Sequence, residues 1–276
     1  MTQLETGREF LFSQLDFKNV QRILYKKSGI QLADSKDSMV YSRLARRLRA
    51  LNISSVTEYL KYLEANNSEE QSFINALTTN LTSFFREKHH FPALREYLEK
   101  NPGKKRIWCA ASSTGEEPYS IAMTVAETFG SFSTPIEIIA SDIDSAVLEK
   151  ARAGIYSQTN INELGNKRLK QFFHRGKGSQ QGKVKVVPEL RKMVSFKQIN
   201  LTHTNWDIKA PIDIIFCRNV MIYFDKSTQI KILSNMVELM PADGLYVAGH
   251  SETFATAGHL VTPMGKTLYR PAKDIK

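Results

Sequence analysis

The sequence predicts an α/β protein: a mostly parallel sheet carrying a small β-rich insertion, preceded by an all-helical N-terminal domain. Three observations point there. Apolar residues recur at helical spacing over roughly the first hundred positions. After the Asn-Pro-Gly break at 101–103, short apolar runs alternate with helical patterns, the texture of a parallel sheet covered by helices. Between 174 and 197 a glycine-bearing, strongly basic stretch interrupts that alternation.

Leu11, Leu15, Val20, Ile23 and Leu24 mark the first helix. A second runs from about 37 to 51, where Tyr41, Leu44, Leu48 and Leu51 form one stripe. Arg43, Arg46 and Arg49 project from its opposite face, with Arg47 on the flank. The stripe is core; the arginine row is either a solvated face or a docking surface for an acidic helix or a phosphate backbone. Val56, Tyr59, Leu60 and Leu63 mark a third helix. The expected domains are 1–80 and 81–276. In the second, RIWCAAS is a strand, a helix starts near Glu116, IEIIASD is a strand, and a helix follows Asp144. GKGSQQG, VKVV and VSFKQ make the β-rich insertion, about 174–197. IDIIFCRN, a helix after Asp225 and GLYVAG complete the alternation.

With 42% hydrophobic and 24% charged residues, the 276-residue chain has an ordinary globular composition. It shows no apolar run of membrane-spanning length. Cys109 and Cys217 each sit within an apolar segment, as reduced buried thiols do, which predicts a cytoplasmic protein. The six histidines, including adjacent His89 and His90, show no ligand spacing with Cys or Asp, which predicts no metal. The net charge of +10 is concentrated: residues 166–197 hold ten Lys or Arg against one acid, Glu189. Such a patch attracts acidic protein surfaces or polyanions without choosing between them.

In open α/β sheets a ligand lies beyond the carboxyl ends of the strands. After the first strand comes ASSTGEEPYS, where Gly115 permits a tight turn and Pro118 suits a first helical turn. Glu116 and Glu117 there would repel a diphosphate but suit a cofactor bearing an ammonium and a sulfonium; the alternative is that they only favour the helix dipole. Asp142 ends the second strand, either accepting ribose hydroxyls or capping the next helix. Gly176, Gly178 and Gly182 approach a dinucleotide fingerprint but precede a strand, so they read as a hairpin loop. In TTNLTSFFRE, Asn80, Thr82 and Arg86 fall close together, with Thr82 and Arg86 one helical turn apart and Phe84 and Phe85 as anchors. Arg86 either grips a cofactor carboxylate or is a surface arginine after a helix cap. Asn200 and Leu201 end VSFKQIN, and Arg218, Asn219 and Tyr223 follow IDIIFC.

Together, NLTSFFRE (80–87), STGEEPYS (113–120), ASDID (140–144) and FCRNVMIYF (216–224) resemble the chemotaxis protein methyltransferase family, CheR, over nearly the whole chain. The resemblance implies a Rossmann-like methyltransferase domain that takes S-adenosylmethionine, releases S-adenosylhomocysteine and methylates glutamates on the cytoplasmic helices of chemoreceptors. It implies cofactor positions at Asn80, Thr82, Arg86, Glu117, Asp142, Asn200, Leu201, Cys217, Arg218 and Asn219, and catalytic positions at Arg86 and Tyr223. It also implies that Arg43, Arg46, Arg47 and Arg49 dock the receptor, and that the loop RGKGSQQG resembles that of members binding a peptide at the receptor C-terminus. A monomer is expected, without nucleic acid and without membrane insertion. The turn CRNVMIYF lacks the Asn-Pro-Pro-aromatic pattern of base amino methylation, and neither cysteine follows a proline, as a cytosine C5 nucleophile would.

Overall fold

The computed structural model describes residues 8–272. They form two compact units: the chain through Thr79 together with Tyr223–Asp225, and Asn80–Ile222 together with the chain from Lys226.

The first unit holds α1 (Gln14–Ser28), α2 (Asp37–Leu51), α3 (Val56–Ala65) and α4 (Asn67–Leu77). A capping box starts α1: Asp16 N donates to Ser13 Oγ at 3.1 Å, and Ser13 N donates to Asp16 Oδ2 at 2.8 Å. Gly29, with φ of 73°, ends it in the left-handed conformation that glycine adopts without steric cost. Phe17, Leu24, Val40, Leu44, Leu48, Tyr59, Phe73 and Leu77 are buried between the helices. Each such side chain contributes about 1.5–3 kcal/mol of transfer free energy, the main source of stability for helices this short.

The arginine face of α2 is not uniformly solvated. Arg47 grips the buried carboxylate of Glu69 in a forked pair at 2.8 and 2.7 Å, and Tyr59 donates to the same group at 2.9 Å. Arg43 donates to the Thr78 carbonyl at 2.5 Å, past the end of α4. Arg46 and Arg49 are exposed, and Arg49 meets Glu9. Burying Glu69 requires a countercharge, and Arg47 supplies it, so of the four arginines only Arg46 and Arg49 are exposed.

In the second unit a seven-stranded sheet runs in the order β6-β2-β1-β7-β8-β10-β9. Its strands are β1 (Lys105–Cys109), β2 (Ile136–Asp142), β6 (Val194–Gln198), β7 (Ile214–Cys217), β8 (Leu245–Ala248), β9 (Val261–Gly265) and β10 (Leu268–Pro271). The first five are mutually parallel; β10 and β9 add an antiparallel hairpin. Lys266 and Thr267 make its two-residue turn, both at positive φ as such hairpins require. The order reverses between β1 and β7, which opens a crevice at the carboxyl ends of those strands. The helices are α5 (His90–Lys100), α6 (Glu116–Phe129), α7 (Ser145–Ala153), α8 (Gly165–Phe172), α9 (Pro188–Lys192) and α10 (Lys226–Glu238).

Three sequence expectations change. Residues 90–100 are helical, but α5 packs on α6 and puts Phe91, Leu94 and Leu98 into the sheet unit's core. Residues 78–89 contain no helix, because Phe84 and Phe85 turn into the same core and Phe85 and Glu87 take φ of 53° and 55°. Thr82 and Arg86 are therefore not one helical turn apart. The separate small sheet consists of β3 (Ile155–Ser157), β5 (Lys183–Val186) and β4 (Phe173–Arg175), antiparallel in that order, so it begins before 174. VSFKQ is not part of it: as β6 it pairs in parallel with β2 in the large sheet. In β5, Val184 and Val186 are buried while Lys183 and Lys185 are exposed, so strand periodicity itself turns the basic residues outward.

Candidate active site

The turn after β1 is set by Gly115, at φ of 101°. A Cβ there would lie 2.7 Å from Tyr156 Oη and 2.9 Å from Ala151 Cβ, so only glycine lets the chain enter α6 against α7. Tyr156 Oη in turn donates to the Thr114 carbonyl at 2.8 Å. This turn buries both Glu116 and Glu117. Thr114 Oγ1 donates to Glu116 Oε2 at 2.6 Å, and Cys109 Sγ lies 3.3 Å from Glu117 Oε1. Burial pushes the Glu116 carboxyl above its ordinary value.

At the end of β2, Asp142 accepts from Ser113 N at 2.8 Å and from Asp144 N at 3.0 Å. Burial outweighs these amides and raises its pKa to about 6. The cap of α7 is Asp144, which accepts from Ala146 N and Val147 N, so Asp142 is left to face the crevice. Asn80 joins the same cluster through two bonds: its Nδ2 donates to Asp144 Oδ2 at 2.8 Å, and its carbonyl accepts from Ser113 Oγ at 2.9 Å.

Arg218, just past β7, has a fully buried side chain. Its Nη1 donates to Glu117 Oε2 at 2.5 Å and its Nη2 to the Arg86 carbonyl at 2.7 Å. Nη2 also lies 3.3 Å from Glu87 Oε2. Glu87 Oε1 accepts from His250 Nδ1 at 3.0 Å and from Asn219 Nδ2 at 3.3 Å. Burial pushes the Glu87 carboxyl up, but the His250 bond and the Arg218 charge carry it down to about 2. One guanidinium thus ties together α6, the end of β7 and the 86–87 turn.

Glu252 holds the other side of this turn, and neither it nor Glu87 stood out in the sequence. Its buried carboxylate accepts from Val220 N at 2.9 Å, Met221 N at 2.8 Å and Gly249 N at 2.6 Å. Three backbone donors on one acid fix the β7 loop to the end of β8. Gly249 approaches Asn219 so closely that a Cβ would sit 2.4 Å from Asn219 Nδ2 and 2.8 Å from its backbone nitrogen. No residue-type spacing announces such a clamp, because the partners of Glu252 are backbone amides.

Residues 80–269 match the family described as CheR methyltransferase, SAM binding domain, and residues 15–78 match the CheR methyltransferase all-alpha domain. The chain belongs to the CheR methyltransferase family. It is 51% identical over 269 residues to chemotaxis protein methyltransferase 2 of Pseudomonas aeruginosa, covering 96% of each chain. To the chemotaxis protein methyltransferase of Salmonella typhimurium it is 48% identical, covering 98% of this chain and 95% of that one. To that of Escherichia coli it is 47% identical, covering 98% and 96%. This CheR chain is accordingly an S-adenosylmethionine-dependent methyltransferase of chemotaxis.

Of the residues singled out in the CheR-like motifs, the sheet unit gathers Asn80 and Asp142 around Ser113, and Arg218 gathers Glu117, the Arg86 carbonyl and, through Glu87, Asn219. Asn200 follows β6, where its Oδ1 accepts from Thr202 N at 3.0 Å, and Leu201 is buried beside it in sequence. Thr82 is half-buried in the 78–89 segment. The Cys217 thiol is fully buried, and burial and the Glu252 charge push it up, so the side chain is an inert core group. Tyr223 groups with the helical unit, where its carbonyl accepts from Gln31 N at 2.8 Å. The donor set suits S-adenosylmethionine. Burial raises the carboxyls of Glu116 and Asp142, so a ligand bringing ammonium and sulfonium charges relieves a cost the apo site carries.

Proposed function

We propose that this CheR chain transfers a methyl group from S-adenosylmethionine to glutamate side chains on the cytoplasmic helices of chemoreceptors, forming glutamate methyl esters in sensory adaptation. The observation that carries this reading is the buried acidic set at the carboxyl ends of β1 and β2, Glu117 and Asp142, braced by Arg218.

S-adenosylmethionine, when bound, supplies an electrophilic methyl group on a sulfonium. Glu117 receives the cofactor's ammonium; burial pushes its carboxyl up, and the Arg218 charge opposes that shift and aims the group. Asp142 accepts from the ribose hydroxyls, each of its oxygens retaining acceptor capacity beyond its backbone amide. Asn80, Thr82, Asn200, Leu201, Asn219 and the backbone of Cys217 line the remainder. Arg86 and, by the sequence resemblance, Tyr223 orient the cofactor and the incoming carboxylate. No general base is needed, because a glutamate of reference pKa about 4.3 is an anion at neutral pH. The residues' work is alignment and exclusion of water, since opposite charges meet and cancel along the reaction.

The exposed arginines of α2, Arg46 and Arg49, with Arg43 and Arg47 buttressing that face, dock the acidic methylation helix. The outward lysines of β5 support a second contact, a receptor C-terminal peptide at the small sheet. No helix among the described residues is long and apolar enough to cross a membrane, and we place the protein in the cytoplasm as a monomer. Transfer of labelled methyl to receptor-rich membranes, compared with DNA and RNA, tests the substrate. Label in the receptor band is expected, and label on nucleic acid would refute it.

A further inference from the structure

Glu87, His89 and His90 converge on the turn that leads into α5. One donor atom from each lies within 4.8 Å of the others: a carboxylate oxygen and two imidazole nitrogens. The backbone makes this possible. Glu87 sits at φ of 55°, and His90 N returns to the Glu87 carbonyl at 3.1 Å, so residues two and three apart face one point.

The His90 ring is fully buried, and its surroundings fix its tautomer. Its Nε2 lies 2.9 Å from Thr267 Oγ1 and 3.2 Å from the Lys266 carbonyl. The Thr267 hydroxyl already donates to that carbonyl at 2.7 Å, so both neighbours of Nε2 accept, and Nε2 carries the ring proton. Nδ1 therefore presents a lone pair. It faces Glu87 Oε2 at 3.7 Å, and neither atom has a hydrogen-bond partner. Two buried acceptors turned toward each other call for a cation between them. Arg218 pairs with the Glu87 charge at 3.3 Å, longer than the roughly 2.7–2.9 Å of a charge-assisted hydrogen bond, and leaves His90 Nδ1 without a partner.

We propose that Glu87, His89 and His90 form a site for a single divalent ion of the zinc class. Two imidazoles and one carboxylate, with no thiolate, are donors that Zn2+ takes at about 2.0–2.2 Å, leaving a fourth tetrahedral position for water. Bonds of that length set ligand atoms about 3.4 Å apart, close to the spacing already present between Glu87 and His90. His89 is exposed, so its ring swings inward without disturbing the core. The other Glu87 oxygen is oriented by His250, and His90 by Thr267, as outer partners orient metal ligands. The nearby Arg218 charge opposes the ion and sets the affinity on the order of 1 μM, far weaker than a structural zinc.

The test uses the full chain without a histidine tag, stripped with chelator, titrated with Zn2+ by calorimetry and with Co2+ by visible absorption. One equivalent of Zn2+ is expected, with a four-coordinate Co2+ band that Zn2+ abolishes. His89→Ala and His90→Gln should each weaken Zn2+ by about tenfold or more. The exposed position of His89 keeps that variant folded, verified by its melting temperature, so the test stands even if His90→Gln unfolds. Absence of binding at about a hundred times the expected dissociation constant overturns the proposal. Wild-type affinity in a folded His89→Ala variant does the same.

Discussion

Asp142 ends the second strand, where the sequence left a ribose acceptor and a helix cap open. Its neighbour Asp144 takes the helix cap, which removes the competing reading. Asp142→Ala should weaken S-adenosylmethionine by about tenfold or more, roughly 1.4 kcal/mol, in calorimetric titration. The pH dependence follows from its raised pKa. With a folded value of about 6, the carboxylate is ionised and a full acceptor above that pH and protonated below it. Cofactor affinity should therefore fall as pH drops through about 6, and the Ala variant should lose that step. The same shift has the opposite sign for stability of the apo protein: its favourable contribution is complete below the ordinary value of 3.8 and is lost as pH rises through about 6. Glu252 and Gly249 carry an equally specific expectation that no local pattern disclosed. Glu252→Ala leaves the buried Met221 and Gly249 amides and the part-buried Val220 amide unpaired, at about 1–3 kcal/mol for each buried one, and should lower the urea midpoint sharply. Gly249→Ala should displace Asn219, costing about 1–3 kcal/mol of overpacking, and depress methyl transfer with it.

Among elements, α2 shows both what periodicity reveals and what it hides. Its span follows from local spacing, but of the expected stripe only Leu44 and Leu48 are buried, while Tyr41 and Leu51 are half-buried and Val40 takes a core place instead. The fate of its arginines does not follow from spacing, because Arg47 answers to Glu69 and Arg43 to Thr78, partners twenty or more positions away. Of the four arginines proposed to dock the receptor, Arg46 and Arg49 are the exposed ones. Reversing both to Glu should raise the KM for receptor several-fold in a salt-dependent way while leaving cofactor affinity in place. Arg47→Ala should instead act on stability, stranding the buried Glu69 carboxylate at about 3–5 kcal/mol. The parallel strands were legible as apolar runs, whereas β9 was not: only Val261 among its residues is buried, and Pro263 and Gly265 disguise it. The 78–89 segment misled for a related reason. Its polar residues keep helical spacing, but the tertiary demand to bury Phe84 and Phe85 overrides it.

For the whole molecule, the parallel order with its reversal between β1 and β7 explains why cofactor candidates from distant motifs meet. Glu117, Asp142 and Arg218 are far apart in sequence and come to the carboxyl ends of β1, β2 and β7 because each follows a strand, while Asn80 joins them from the segment before α5 through Ser113. The basic excess at 166–197 was visible from composition, yet its meaning depends on folding. Arg168 and Lys197 are spent on Glu127 and Asp207, and the outward face of β5 keeps Lys183 and Lys185. Sequence also placed His89 and His90 side by side without a ligand signal, since the left-handed turn at Glu87 that joins them has no signature in residue type. All of this serves one central claim, that the methyl group ends on a carboxylate. The most direct measurement takes receptor labelled by the protein from methyl-labelled S-adenosylmethionine and treats it with mild alkali. Release of the label as volatile methanol is the predicted result, because a glutamate methyl ester hydrolyses under those conditions. Label that stays on the receptor through alkali would mean an N- or S-methyl product and would contradict the account.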